Sequence, residues 1–457
     1  MLEKYERDGQ MKVSKYNVNI DINENEYIIY NTFTRKYLKL QSIYKSHIEN
    51  LINNLTRVAI AREDINIIKN MVEKGIVIRN EVDELEIIKN REVLTRFQEY
   101  IFYLSLQPIL KCNFNYKYCS EACTGEEFST NTVEKIIRFA ENVTKKVHIL
   151  QVSWFAGESP IQFKNMMDIT QKLKRVCNKN NCQYRACITI NGYLLSENYI
   201  SRLPELSIES IQIAIDDAAE YNDRQKSLGI GEEKFDRVLQ NILLLLNKRI
   251  NLVLKINVTD ENYNSVIKVL ELIPVNKRKD VTLNMVSFSQ GKNSIKLFDL
   301  YKKAIGKGFD YYNIKNRYQN CEACFKNSIN IEPDENLCTC PLAGEDGFYI
   351  GKLGSDGEIQ YSNAQEFLKF INLSAIDNEN CRNCIQLPMC MGGCKYSRYK
   401  DSKVCNALSP NVLSLEEKIL LHYYTDNNPM VYENDTLAKK QKSIVYNYGT
   451  NNGCQRG

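Results

Sequence analysis

From Phe102 to about residue 305 the chain repeats one pattern six times: a short apolar run, a polar loop, then an amphipathic stretch. The apolar runs cover 102–106, 149–154, 185–190, 210–215, 251–258 and 281–286. Helical spacing follows near 131–143, 161–176, 196–203, 232–247, 262–272 and 294–305. Strand then helix in tandem commits a chain to a parallel sheet, because a parallel neighbour is reached only by a long crossover. Six units predict an α/β fold, a partial (β/α)6 TIM-like barrel over 96–312. Chemistry is then expected in the loops at the C-terminal ends of its strands.

Two flanks differ from this repeat. Residues 17–40 alternate through Val18, Ile20 and Ile22, then Tyr27-Ile28-Ile29-Tyr30, then Tyr37 to Leu40, which predicts two or three short antiparallel strands. Helical spacing follows at Ile43, His47, Ile48, Leu51, Ile52 and Leu55, and at Ile65, Ile68, Met71 and Val72, with Gly75 closing the second stretch before an extended Ile76-Val77-Ile78. This predicts a winged-helix-like domain over 1–95. On periodicity alone it serves equally well as a packing domain or as one that captures an extended peptide along an edge strand. The other flank is Cys-dense over 313–424, and a polar tail is expected over 425–457.

Composition narrows the function classes. A length of 457 residues suits about three domains, and a net charge of +4 supplies no basic patch for nucleic acid. No apolar run approaches the ~20 residues of a membrane span, and the start, MLEKYERDGQMK, lacks the apolar core of a signal peptide. The expectation is a cytoplasmic protein. Its sixteen Cys stand beside only His47, His148 and His422, so in a reducing compartment thiolate rather than imidazole is the candidate metal ligand.

The loop after the first strand runs Leu106-Gln107-Pro108-Ile109-Leu110-Lys111-Cys112-Asn113-Phe114-Asn115-Tyr116-Lys117-Tyr118-Cys119. It resembles the radical S-adenosylmethionine (radical SAM) family, whose three Cys are spaced CxxxCxxC and commonly written C-N-F-x-C-x-Y-C. Tyr116 stands where the middle ligand belongs. In that family three thiolates hold three irons of a [4Fe–4S] cluster and leave the fourth for S-adenosylmethionine. Here Cys112 and Cys119 match, and three outcomes stay open: Cys123 supplies the third ligand, the Tyr116 phenolate does, or no cluster assembles.

The same resemblance implies further cofactor residues. Trp154-Phe155-Ala156-Gly157-Glu158-Ser159-Pro160 is similar to the family's G-G-E-P turn, with Gly157 and Glu158 kept. Ile190-Asn191-Gly192 is similar to T-N-G, which gives Asn191. The fourth strand ends Ile213-Ala214-Ile215-Asp216-Asp217 where the family has I-S-x-D-G, keeping Asp216, and Arg224 matches a downstream Arg able to pair the cofactor carboxylate. Tyr116, Ala156, Ser159, Ala214 and Asp217 depart together, and a non-catalytic relative is the rival reading.

The C-terminal spacing is more specific. Cys381-x2-Cys384-x5-Cys390-x3-Cys394, then Cys405, with Cys324-x15-Cys340 upstream, resembles the SPASM extension found behind many radical SAM proteins. All seven Cys positions are filled, and Glu335 replaces the turn glycine. Met391-Gly392-Gly393 and the Leu387-Pro388-Met389-Cys390 lead-in look alike too. The resemblance implies two auxiliary [4Fe–4S] clusters: one on Cys381, Cys384, Cys390 and Cys405, the other on Cys324, Cys340 and Cys394 with Cys321 or Cys338 as fourth ligand. Zinc on the same thiolates, in an interaction protein, is the plainer alternative.

Cys177, Cys182 and Cys187 are expected as buried thiols, Cys454 as incidental, and Trp154 either borders a substrate cavity or packs in the core. The whole resembles the radical SAM/SPASM peptide maturases. What it implies is a ribosomally made precursor peptide as substrate and a flavodoxin- or ferredoxin-type electron donor. Hydrogen abstraction by a 5′-deoxyadenosyl radical would lead to a crosslink. The alternative it leaves is an inactive peptide-binding partner that keeps the auxiliary clusters.

Overall fold

The computed structural model describes residues 11–55, 64–109, 126–155, 160–215, 232–248, 250–260, 262–287, 296–311, 321–405, 407 and 412–428. The chain forms two units, one of 1–94, 374–393 and 414–423, the other of 95–373, 394–413 and 424–457. Among the described residues no helix is long and apolar enough to cross a membrane.

In the first unit, β1 (Met11–Val13) pairs antiparallel with β5 (Val77–Arg79), while β2 (Asn17–Asn23), β3 (Glu26–Asn31) and β4 (Lys36–Gln41) form an antiparallel sheet with β3 in the middle. The unbroken Tyr27-Ile28-Ile29-Tyr30 run is what a strand covered on both faces requires, and all four side chains are buried. Tyr27 and Ile29 pack with Ile48 of α1 (Lys45–Asn53), Met71 of α2 (Ile65–Lys74) and Ile76 and Val77. On the opposite face the Tyr30 hydroxyl lies 3.3 Å from Nδ1 of His422. Gly75 ends α2 in the left-handed region, at φ 78°, and a Cβ there would come 2.3 Å from Cγ2 of Thr34.

A further helix, α3 (Glu84–Arg96), follows β5. Its stripe buried in this unit is Glu84, Ile88 and Glu92. The Glu84 carboxylate accepts from the Ser14 hydroxyl at 2.6 Å, and Glu92 accepts from Ser374.

In the second unit six parallel strands lie side by side in chain order: β6 (Ile101–Leu106), β7 (Ile149–Trp154), β8 (Gln183–Ile190), β9 (Ile208–Ala214), β10 (Asn251–Val258) and β11 (Val281–Ser287). The connections carry α4 (Thr130–Thr144), α5 (Pro160–Lys179), α6 (Glu197–Arg202), α7 (Glu232–Asn247) and α8 (Val266–Glu271). α9 (Leu297–Gly306) leads to β12 (Asp310–Tyr311), which adds parallel to β11. The repeat expected from the sequence is thus present, with ends shifted by a few residues, most at the helix expected over 262–272.

The sheet also extends where no strand was expected. β13 (Ser328–Ile331) adds parallel to the free side of β6, and β14 (Asn336–Cys338), β15 (Gly351–Leu353) and β16 (Ile359–Tyr361) continue antiparallel from it. Three short helices follow in this unit: α10 (Pro341–Glu345), α11 (Ala364–Asn372) and α12 (Lys395–Lys400). A helix over Leu415–Asp426 runs past the start expected for the tail; residues 429–457, with Cys454, lie outside the described residues.

The two faces of the parallel sheet differ because side chains alternate. Phe102, Leu104 and Leu106 share a face with Leu150, Val152 and Trp154, and this face meets the helices, as Phe102 against Phe139 of α4 shows. Trp154 is fully buried here. The other face carries Tyr103, Ser105, Gln151, Ser153, Cys187 and Thr189. Ser105, Ser153 and Cys187 are direct neighbours across β6, β7 and β8.

Candidate functional site

The polar face is reached by the segment that enters β13. A single turn over Glu322–Cys324 brings the Glu322 carboxylate to the Ser105 and Ser153 hydroxyls, each at 3.4 Å, while the Phe325 ring packs 4.7 Å from that of Tyr103. Burial pushes the Glu322 carboxyl up to about 7, and the two serine hydrogen bonds oppose this only in part. Sequence patterning alone missed this carboxylate, and an acidic residue between two candidate ligands, Cys321 and Cys324, was the signal for it.

Around Glu322 the fold gathers four thiols. Cys321 is exposed as a residue, yet desolvation of its sulfur raises it well above the usual thiol range, and the charges of Cys324, Cys340 and Cys394 push the same way. Burial likewise lifts Cys340 to about 12, with Cys394 and Cys324 adding to it. Cys340 and Cys394 are the residues that precede α10 and α12. At Cys340 the Ala343 N–H donates to the backbone carbonyl at 3.0 Å, while Cys394 Sγ accepts from the Ser397 N–H at 3.4 Å. Such a donor favours thiolate and stabilises sulfur bound to iron.

Cys338 is placed differently. It points from β14 into the sheet, fully buried, where Asn330 Nδ2 donates to its sulfur at 3.2 Å and the thiol faces Glu332 Oε1 at 3.6 Å. Burial, and then the Glu332 charge, hold it as a neutral thiol. Gly344 lies against this pair: a Cβ there would come 2.0 Å from Glu332 Oε1 and move that carboxylate.

Among the described residues no three His, Cys, Asp or Glu side chains close on one point as a single metal ion requires. A four-iron cluster asks for something else, one thiolate per iron around a larger body. Four soft sulfur donors, one of them, Cys394, with a backbone N–H aimed at it, fit that group.

Glu335 occupies the position of the turn glycine, and its backbone is left-handed at φ 68°. Its carboxylate accepts from Thr132 Oγ1 at 3.1 Å and meets Lys135 Nζ at 2.6 Å. In the first unit, Cys381 lies on the turn Glu379–Arg382 capped by Asn378, and Cys384 Sγ accepts from the Gln386 N–H at 3.4 Å. Cys390 closes the turn Leu387–Cys390, after which Met391, Gly392 and Gly393 are all left-handed, at φ 47°, 80° and 70°. Cys405 is exposed in the second unit.

Of the cofactor positions, Asn191 is described. It is buried just past β8, with Oδ1 accepting from the Tyr193 N–H at 3.1 Å. Gly192 follows at φ 79°, and a Cβ there would meet Ile213 Cγ2 at 3.1 Å. Asn241 of α7, which patterning had assigned only to a helix, donates to the Gly192 carbonyl at 2.8 Å. Arg237 lies 4.7 Å over the Tyr193 ring. Ala214 ends β9 half-buried. Cys112, Tyr116, Cys119, Cys123, Ala156, Gly157, Glu158, Ser159, Asp216, Asp217 and Arg224 lie outside the described residues. Cys177, Cys182 and Cys187 are buried thiols, as expected.

The chain is similar to "Radical SAM cyclopropyl synthase TigE" of Paramaledivibacter caminithermalis (strain DSM 15212 / CIP 107654 / DViRD3), 24% identical over 429 residues, covering 81% of this chain and 87% of that protein. It is also similar to "Cysteine-type anaerobic sulfatase-maturating enzyme" of Clostridium novyi (strain NT), 21% identical over 376 residues, covering 72% and 96%. In structure it is similar to native anSMEcpe with bound AdoMet, with a TM-score of 0.51 at 16% identity, covering 71% of this chain and 95% of that one. The same figures hold for native anSMEcpe with bound AdoMet and Cp18Cys peptide. Residues 106–273 match the family described as the Radical SAM superfamily. The parallel strands in chain order, the turn after β8 and this match together identify the chain as carrying a radical SAM domain over residues 106–273.

Proposed function

We propose that the chain is a radical SAM/SPASM maturase of a ribosomally made peptide. The observation that carries this is the gathering of Cys321, Cys324, Cys340 and Cys394 at the polar face of the parallel sheet, beside Glu322. We assign these four thiols to one auxiliary [4Fe–4S] cluster, with Cys321 rather than Cys338 as the fourth ligand, because Cys338 is engaged by Asn330 and Glu332. The assignment of Cys381, Cys384, Cys390 and Cys405 to a second cluster rests on their spacing. The residues for the first cluster are Cys112 and Cys119 with Cys123 or Tyr116. Gly157, Glu158, Asn191, Asp216 and Arg224 are those for S-adenosylmethionine. Bound there, the reduced cluster and its cofactor supply a 5′-deoxyadenosyl radical for hydrogen abstraction from the peptide, leading to a crosslink.

The chain's own contribution is placement. The turn Asn191-Gly192, with its carbonyl fixed by Asn241, presents backbone polar groups at a strand C-terminus, where such folds bind ligands. The Ser397 N–H, in the first turn of α12, stabilises thiolate at Cys394. The wing-like sheet of the first unit offers β2 and β4 as edges for strand addition by a leader peptide. A TigE-like cyclopropyl synthase and a sulfatase-maturating enzyme among the relatives, and a peptide in one anSMEcpe structure, support a peptide substrate. A flavodoxin- or ferredoxin-type donor would supply the electron.

Tyr116 in the middle ligand position favours a second reading, a peptide-binding partner that keeps the auxiliary clusters. Anaerobically purified protein separates the two. The enzyme carries about twelve irons per chain, the partner about eight. With dithionite and S-adenosylmethionine the enzyme releases 5′-deoxyadenosine. If none is released, the enzyme reading is lost, and Tyr116→Cys regaining cleavage identifies the lost ligand.

A further inference from the structure

α12 buries two cations and satisfies one of them. Lys395 is 3% exposed, and its Nζ donates to the Ile371 carbonyl at 2.8 Å and lies 5.2 Å over the Phe370 ring. Arg398 is 5% exposed, yet among the described residues no carboxylate, carbonyl or ring meets its guanidinium, and its Nε is buried without a partner. A lysine so placed could give up its proton, whereas an arginine keeps its charge. A buried charge with nothing opposite it is heavily penalised, so its partner is to be sought outside the polypeptide.

The faces of α12 locate that partner. Lys395 and Tyr399 turn toward α11, where the Tyr399 ring packs 5.6 Å from that of Phe370. Tyr396 and Lys400 turn toward Phe348 and Asp346. On the side that remains, Cys394 and Arg398 stand one turn apart, with the Arg398 N–H donating to the Cys394 carbonyl at 3.2 Å. α12 packs on the turn Glu322–Cys324, and Cys394 is close enough to Cys321 and Cys340 for its charge to act on both. The one carboxylate of that turn, Glu322, bonds Ser105 and Ser153.

We infer that Arg398 is the counter-cation of the cluster assigned to Cys321, Cys324, Cys340 and Cys394, and that it raises the reduction potential there. The inference rests on that assignment. Four thiolates on a four-iron cluster leave it with net negative charge, and net charge is one of the terms that set such a potential. Arg398 is not a ligand; it offsets this charge from the Cys394 side. Its effect is largest when one electron arrives from the flavodoxin- or ferredoxin-type donor. The donor is oxidised by one electron and the cluster reduced by one, no bond forms or breaks, and no proton has to follow because the cation is already in place.

The test titrates the full anaerobically purified chain with dithionite in the presence of redox mediators, following the clusters by electron paramagnetic resonance and counting iron. The signal that Cys321→Ser abolishes belongs to this cluster. If that variant loses neither signal nor iron, the cluster assignment itself has failed and the inference falls with it. Arg398→Met and Arg398→Gln should keep the iron and make this signal about tenfold harder to reduce, about 59 mV lower for one electron, with the other signals unmoved. Arg398→Lys, which keeps the charge, should recover at least half of the shift. An unchanged potential in the two neutral variants overturns the inference, and so does an equal shift in all three, which is what lost packing would give. Where the neutral variants fail to hold iron, retention in Arg398→Lys alone supports the role of the charge, and loss in all three overturns it.

Discussion

Lys135 sets its ammonium nitrogen 2.6 Å from Oε2 of Glu335, a residue whose own backbone is left-handed. The side chains are only 16% and 19% exposed, so this contact is shielded from water. A non-glycine residue in that region costs about 1 kcal/mol or more, and the ion pair with the Thr132 hydrogen bond offsets it. Glu335→Gly removes the strain together with the contacts and should change stability by less than about 1 kcal/mol. Glu335→Ala keeps the strain and loses the contacts, and should cost about 2 kcal/mol. Urea melts of the three proteins decide it, and equal losses for both variants would sink the compensation.

The choice of Cys321 over Cys338 is tested by counting iron. Cys321→Ser should remove about four irons per chain, and Cys338→Ser should leave the count unchanged, because the latter thiol already serves Asn330 and Glu332. The reverse pattern would reassign the ligand.

Glu322 makes stability depend on pH. Its carboxyl is raised from 4.5 to about 7, first by burial, so the folded chain holds the proton more tightly than the unfolded one. The stability this contributes is complete below the unfolded value and is lost as pH rises to about 7. Glu322→Gln carries no charge at any pH and should gain on the native protein across that window, ending about 1–3 kcal/mol ahead at neutral pH. Parallel pH–stability curves for the two proteins would refute the assignment.

Asn241 reaches the proposed cofactor turn without belonging to it. Asn241→Leu removes the donor to the Gly192 carbonyl, at a cost of about 1–3 kcal/mol, and should weaken S-adenosylmethionine binding measured by equilibrium dialysis. Lower stability with unchanged binding would place the cofactor elsewhere.

The six strand–helix units were legible because hydrophobic period dictates them; the bounds of β10 and α7 came out residue for residue. α3 was not, since its buried stripe includes Glu84 and Glu92, whose partners are the distant Ser14 and Ser374. β13 was missed for a related reason. Four residues, Ser-Ile-Asn-Ile, become a strand only because β6 offers them an open side. At the candidate site, spacing named the thiols but left Cys321 and Cys338 equal; the Asn330 and Glu332 contacts of Cys338, on which the proposed choice of Cys321 rests, have no signature in the spacing. Glu322 was invisible because a charged residue in a Cys-rich stretch has no period, and its meaning comes from Ser105 and Ser153.

The seat of β13 beside β6 imposes an order on biosynthesis. Tyr103 is made early, but Ser328, its partner across the ladder, emerges roughly two hundred residues later, a delay on the order of 10–40 s at about 5–20 residues per second. Through that interval the first barrel strand has an unpaired side, exposed to other nascent chains. Poor yield of soluble protein on rapid overexpression, improved by slower translation, is the outcome this arrangement leads one to expect.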